Sequence, residues 1–160
     1  MKEIGKRLIL AGAFLGLFFL PGLLNAADGW EANITVGAAT AENELSFGQK
    51  SDATDGPDGA YDVPAMLNGD IKASFKASDG KPYWRDIKAY GGGVKIWKLT
   101  VESGLDRERV TLKWKPTAMN ALKAVLLDDR GGFLADMKGD SSYSYLNDGQ
   151  RSFIIEITQQ

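Results

Sequence analysis

The run Val94-Lys-Ile-Trp-Lys-Leu-Thr-Val101, followed after a charged turn by Val110-Thr-Leu-Lys-Trp114, decides how this chain folds. In each half every second residue is apolar: Trp97, Leu99 and Val101, then Val110, Leu112 and Trp114. A period of two puts such side chains on one face of a strand, whereas a helix needs them three or four apart. Leu105-Asp106-Arg107-Glu108-Arg109 supplies the turn between the halves.

The same alternation recurs on either side. Trp30, Ala32, Ile34 and Val36 share one phase, as do Leu45 with Phe47, and Ile71 with Ala73 and Phe75. Leu122 to Leu127 turns through Asp128-Asp129-Arg130-Gly131-Gly132 into Phe133, Ala135 and Met137, which predicts a hairpin. Tyr143 and Tyr145 turn through Asn147-Asp148-Gly149 into Phe153, Ile155 and Ile157, which predicts a second. Ala118 to Leu127 also suits a short helix, but Pro116 before it and Asp128 after it favour a loop leading into a strand. About eight short strands with turn signals between them predict an all-β fold, an antiparallel β-sandwich of immunoglobulin-like type. A small barrel is the alternative. The long turn-rich connection from Gly48 to Pro64 suits a crossing between two sheets better than a meander.

Val110 to Pro116, VTLKWKP, resembles the fibronectin type III and immunoglobulin-like strand whose tryptophan plugs the core. The later LLDDRGGFLADMKGDSSYSYLNDGQRSFIIEI is similar to the closing strands of such modules in secreted bacterial proteins, and FGQKSDATDGPDGAYDVP to an aspartate-rich loop of exported ones. No cysteine pair of the antibody type accompanies them. The resemblance implies a binding or spacer module and carries over no catalytic residue.

Lys2, Lys6 and Arg7 precede an uncharged run from Leu8 to Leu20, broken by Pro21-Gly22 and ending in Leu24-Asn25-Ala26. A basic start, a short apolar core and a small residue at the cut are the parts of a signal peptide. The run is shorter than the ~20 apolar residues a spanning helix needs. Residues 1–26 are therefore expected to be removed, leaving 27–160 as one domain with no membrane span, placed in the periplasm, at the cell surface or outside the cell.

Removing Lys2, Glu3, Lys6 and Arg7 leaves 16 basic against 20 acidic residues. That balance disfavours nucleic acid, whose phosphates need a basic surface. The chain has neither histidine nor cysteine. Ser-His-Asp and Cys-His nucleophile pairs, c-type haem attachment and ordinary zinc sites are thereby excluded. Carboxylate pairs and oxygen-ligated metals such as calcium stay within reach of the composition.

Ser51 to Pro64, SDATDGPDGAYDVP, carries Asp52, Asp55, Asp58 and Asp62. An EF-hand needs oxygen ligands at positions one, three and five, glycine at six and glutamate at twelve, and no register of this stretch supplies them. Two readings stand. The four aspartates could converge on one calcium ion with backbone carbonyls, or accept local N–H groups in Asx-turns around Gly56 and Gly59, which the residues favour. A glycosidase pair needs two carboxyls on a rigid scaffold within a cleft, and a flexible loop offers neither.

Trp30, Trp97 and Trp114 are in phase with apolar neighbours and belong to the core. Tyr83 and Trp84, beside the turn Ser78-Asp79-Gly80-Lys81, form with Tyr61 a candidate platform for stacking on sugar rings. Gly91-Gly92-Gly93 has no following helix and is a hairpin tip, not a phosphate loop. The sequence thus predicts a non-catalytic exported module that binds, spaces or assembles through sheet edges and loops, its partner a protein or glycan at the cell envelope. Self-assembly by strand exchange is a further mode. The alternative is a carbohydrate-binding module with a calcium-stabilised loop.

Overall fold

Where β-branched and aromatic residues alternate with polar ones, the chain extends into strands, and the computed structural model describes these over residues 29–116 and 122–159. The strands are β1 (Gly29–Ala38), β2 (Ala41–Lys50), β3 (Val63–Pro64), β4 (Ile71–Lys76), β5 (Pro82–Ala89), β6 (Val94–Ser103), β7 (Arg109–Trp114), β8 (Leu122–Asp128), β9 (Phe133–Asp136), β10 (Ser142–Leu146) and β11 (Arg151–Gln159). The signal segment expected at residues 1–26 lies outside the described residues. So does the stretch just before β8 that was expected to be loop.

The all-β class holds, but the eleven strands share one sheet rather than the two sheets of an eight-stranded immunoglobulin-like sandwich. Its order is β10-β7-β1-β2-β5-β4-β6-β11-β8-β9, with β3 added on β5. The two end strands, β9 and β10, are consecutive in sequence and joined by a tight turn, where the Asp140 N–H donates to the Asp136 carbonyl at 2.8 Å. The sheet therefore curls until its ends meet, giving a nearly closed, barrel-like form.

Three expectations change with this topology. The β8–β9 hairpin forms, with Val125 opposite Asp136 and Leu127 opposite Phe133. The expected hairpin of β10 and β11 does not: β10 pairs with β7, and β11 lies between β6 and β8. Its turn is long enough to swing the chain across the barrel end. The long connection after Gly48 has a different cause from the one expected. It returns the chain beside β2 in the same direction, and β2 and β5 form the one parallel pair among the described residues, Ser46 opposite Arg85 through Lys50 opposite Ala89. Parallel neighbours need a crossover of a dozen or more residues, which the stretch from Ser51 onward supplies.

The predicted inward phases hold. Ile34, Val36, Phe47, Phe75, Trp97, Leu99, Leu112, Phe153 and Ile155 are buried in one core. Phe47 sits at its centre, 5.5 Å from Trp97, 5.7 Å from Trp30 and 5.8 Å from Phe75 by ring centroids, all edge-on. Such edge contacts add about 0.5–1.5 kcal/mol each beyond burial. Gly48 has no side chain for a spatial reason: a Cβ there would lie 2.2 Å from the Trp30 carbonyl oxygen.

Candidate functional site

The aspartate loop folds over the barrel end where β2 and β5 finish and β6 begins. Asp62 is 9% exposed and anchors it. Its Oδ1 accepts the Ile87 N–H at 2.8 Å and its Oδ2 the Asp58 N–H at 2.7 Å. Asp58 Oδ1 accepts the Ala60 N–H at 3.0 Å, an Asx-turn. Asp55 leaves the loop to meet Lys95, with Nζ at 2.6 and 2.9 Å from its two oxygens. Asp52 faces the Tyr61 hydroxyl, whose pKa is raised chiefly by that hydrogen bond. The four carboxylates are splayed, each on a protein partner, and no three acidic groups gather about one point among the described residues. A calcium ion in this loop would have to displace Lys95 and the backbone N–H groups.

The candidate platform separates in the same way. Tyr83 is 7% exposed, and its hydroxyl donates to Asp79 Oδ2 at 3.2 Å. Burial, and then that carboxylate, raise its pKa. Trp84 is the extra residue of a bulge, since Val63 and Pro64 of β3 stand opposite Arg85 and Tyr83. Trp84 and Tyr61 are half-exposed, so the Tyr83 ring is the one that does not reach solvent. Arg85 beside them is held by Glu31 through two bonds of 2.8 Å and by the Tyr61 carbonyl at 2.9 Å. That guanidinium holds the Glu31 carboxyl below its usual range.

Beneath the loop lies a polar network that composition did not single out. Gln49, fully buried, accepts from Trp30 Nε1 at 2.9 Å and from Gln159 Nε2 at 3.1 Å, and donates to the Ala89 carbonyl at 2.9 Å. Next to it, Asp86 pairs with Lys88 at 3.5 Å, and Lys88 lies 5.6 Å from the Trp97 ring centre. Burial pushes the Asp86 pKa up, partly opposed by Lys88. The signal for Gln49 was its phase, two residues after Phe47 and four after Leu45. Every hydrogen bond here is internal, which makes this a structural cluster.

The open geometry is at the opposite end. The edges of β9 and β10 face each other, joined at the Asp136–Asp140 turn and unpaired beyond it. Between them opens a cavity of about 620 Å³, with Leu134, Tyr143 and Phe153 as its apolar side and Arg130, Asp148 and Arg151 as its charged side. Tyr143 and Phe153 meet edge-on at 6.1 Å. Arg151 is fixed by Asp148 at 3.3 Å and by stacking 4.5 Å above the Tyr145 ring. Asp128 spends Oδ1 on the N–H groups of Arg130 and Gly132, at 2.9 and 2.7 Å. The site thus offers pre-positioned aromatic surface and hydrogen-bonding groups. Of its three carboxylates Asp128 and Asp148 are engaged and Asp129 is exposed, and the chain has no histidine or cysteine to work with them.

No family model matches the chain, and no curated protein or solved structure matches it. What the fold itself defines is an all-β, barrel-like domain with one unsealed seam.

Proposed function

We propose that the chain is a non-catalytic binding module, exported to the cell envelope, that receives a protein or glycan partner in the seam between β9 and β10. The observation that supports this is the cavity itself. Its size lies within the range of ligand sites, and its lining is mostly polar, with Leu134, Tyr143 and Phe153 as the apolar part, which suits a partner rich in hydrogen-bonding groups. Arg151 is held in place before any partner arrives, which lowers the ordering cost of binding. Export rests on the basic, apolar and small-residue pattern of residues 1–26.

The test is a ¹⁵N NMR titration of residues 27–160 with envelope glycan fragments and with extended peptides. Shifts confined to Arg130, Leu134, Tyr143 and Ser152 are the expected result. Shifts centred on Tyr61 and Trp84 would instead favour the carbohydrate-binding reading at the aspartate loop, where those two rings are half-exposed.

A further inference from the structure

Alternation normally leaves a polar outer wall, and β7, β1 and β2 obey it: Glu31, Asn33, Thr35, Glu44, Ser46 and Lys113 lie out of phase with the buried residues of their strands. The wall of β6, β11, β8 and β9 does not. Cross-strand register sets Lys98, Ile154, Leu127 and Phe133 in one row, and Ile96, Glu156, Val125 and Asp136 in the next. Val94 and Lys123 fall in a third. The alternate residues, among them Trp97, Phe153, Ile155, Leu126 and Ala135, are buried, so these rows face outward. Phe133, Val94 and Ile96 are 66%, 54% and 45% exposed, and Ile154, Leu127 and Val125 fill the middle of the wall half-buried. A contiguous apolar surface of this kind marks an interaction face.

The charges in the wall say what fits it. Lys98 and Lys123 carry one sign, Asp136 and Glu156 the other, and among the described residues none of the four has an ion-pair partner. A two-fold axis running along the strands between β11 and β8 would lay β6 of one copy over β9 of the other, and β11 over β8. Lys98 then comes within one row of Asp136 of the second copy, and Glu156 within one row of Lys123. One row is two residues, about 6.6 Å along a strand, a step that a lysine side chain spans. The pattern is self-complementary, as an isologous interface requires. Two carboxylates inside the apolar face fit an anionic lipid surface poorly.

We propose that a second copy of this chain covers the wall, packed face to face about that axis, with Lys98–Asp136 and Lys123–Glu156 bridges around Ile154, Leu127 and Val125. The proposal uses the outer face rather than the seam, so it stands apart from the binding site above.

Sedimentation velocity over a concentration series, on residues 27–160, tests it. The wild-type chain should pass from monomer to dimer, Lys98→Glu should stay monomeric, and Lys98→Glu with Asp136→Lys should dimerise again. Lys98 is exposed, so Lys98→Glu should match the wild type in circular dichroism and melting temperature; Asp136 Oδ1 accepts the Lys138 N–H at 3.0 Å, so the double variant should keep the wild-type circular dichroism and melt slightly lower. A chain that stays monomeric throughout overturns the proposal. So does a Lys98→Glu variant that associates like the wild type, or a folded double variant that remains monomeric. Flotation of the monomer with anionic vesicles would assign the wall to lipid and overturn it as well.

Discussion

Lys95 of β6 reaches both carboxylate oxygens of Asp55, at 2.6 and 2.9 Å, across 40 residues of chain. The lysine side chain is 16% exposed and the aspartate 62%, so the pair is a clasp on the aspartate loop rather than part of the core. Asp55→Asn should cost only about 0.2–1 kcal/mol of stability. The larger effect is local: limited proteolysis should cut between Ser51 and Asp62 faster in the variant. Because Lys95 occupies Asp55, calcium or a chelator should leave the wild-type melting temperature unchanged.

Asp86 gives a pH signature of definite sign. Burial raises its pKa from the ordinary 3.8 in the native state, so the native chain takes up a proton before the unfolded chain does. The contribution of this group to stability therefore falls as pH rises from 3.8 through the raised value. Glu31 has the opposite sign: its pKa is lowered, so its stabilisation is present above 4.5 and lost as pH falls through the native value. Chemical denaturation of Asp86→Asn across this range should show the first slope removed. At neutral pH, where the ionised carboxyl carries its full desolvation cost even with Lys88 beside it, the neutral amide should leave stability unchanged or raise it.

Tyr145 is buried with a hydroxyl that has no hydrogen-bond partner among the described residues, and burial pushes its pKa up to about 12. Between 10 and about 12 the unfolded chain ionises this phenol and the native chain does not, so stability falls as pH rises through that window. Tyr145→Phe should abolish that loss. At neutral pH it should be neutral or stabilising by up to about 1 kcal/mol, because no bond is broken and a buried polar group disappears.

Gly48→Ala places a methyl 2.2 Å from the Trp30 carbonyl, so β1 and β2 must separate where they carry Trp30 and Gln49. A loss of about 2–4 kcal/mol is expected in urea unfolding. Gly59→Ala is the control, with open space around its Cβ, and should change stability by less than about 0.5 kcal/mol.

How much of this could be read from the chain depends on the range of each signal. Period two located the strands and the inward phases of Trp97, Leu112 and Phe153, because alternation is a local property. Pairing is not local: β10 and β11 look like a hairpin around Asn147-Asp148-Gly149, and only the rest of the sheet sends them to β7 and β6. The connection from Gly48 to Pro64 is visibly long in the sequence, but a parallel crossover and a crossing between sheets need the same length. The outer apolar wall did leave a trace. Leu126-Leu127 and Ile154-Ile155 put apolar residues in both phases of a strand, which a one-sided sheet does not need. The seam left none, since a cavity between two edges depends on how far a sheet curls.

Last of the eleven strands in sequence, β11 is not last in the sheet: it is wedged between β6 and β8, and its Gln159 bonds to Gln49, 110 residues earlier. The early strands can meet in a growing chain, but neither the β6 edge nor the β8 edge is covered until Arg151 to Gln159 has been made. Closure therefore waits for β11, and it is dominated by distant contacts and correspondingly slow. A chain caught before that step still carries two open strand edges, and it can be held by a chaperone or degraded. Afterwards β6 and β8 are both paired along β11, and the seam between β9 and β10 is the place left open.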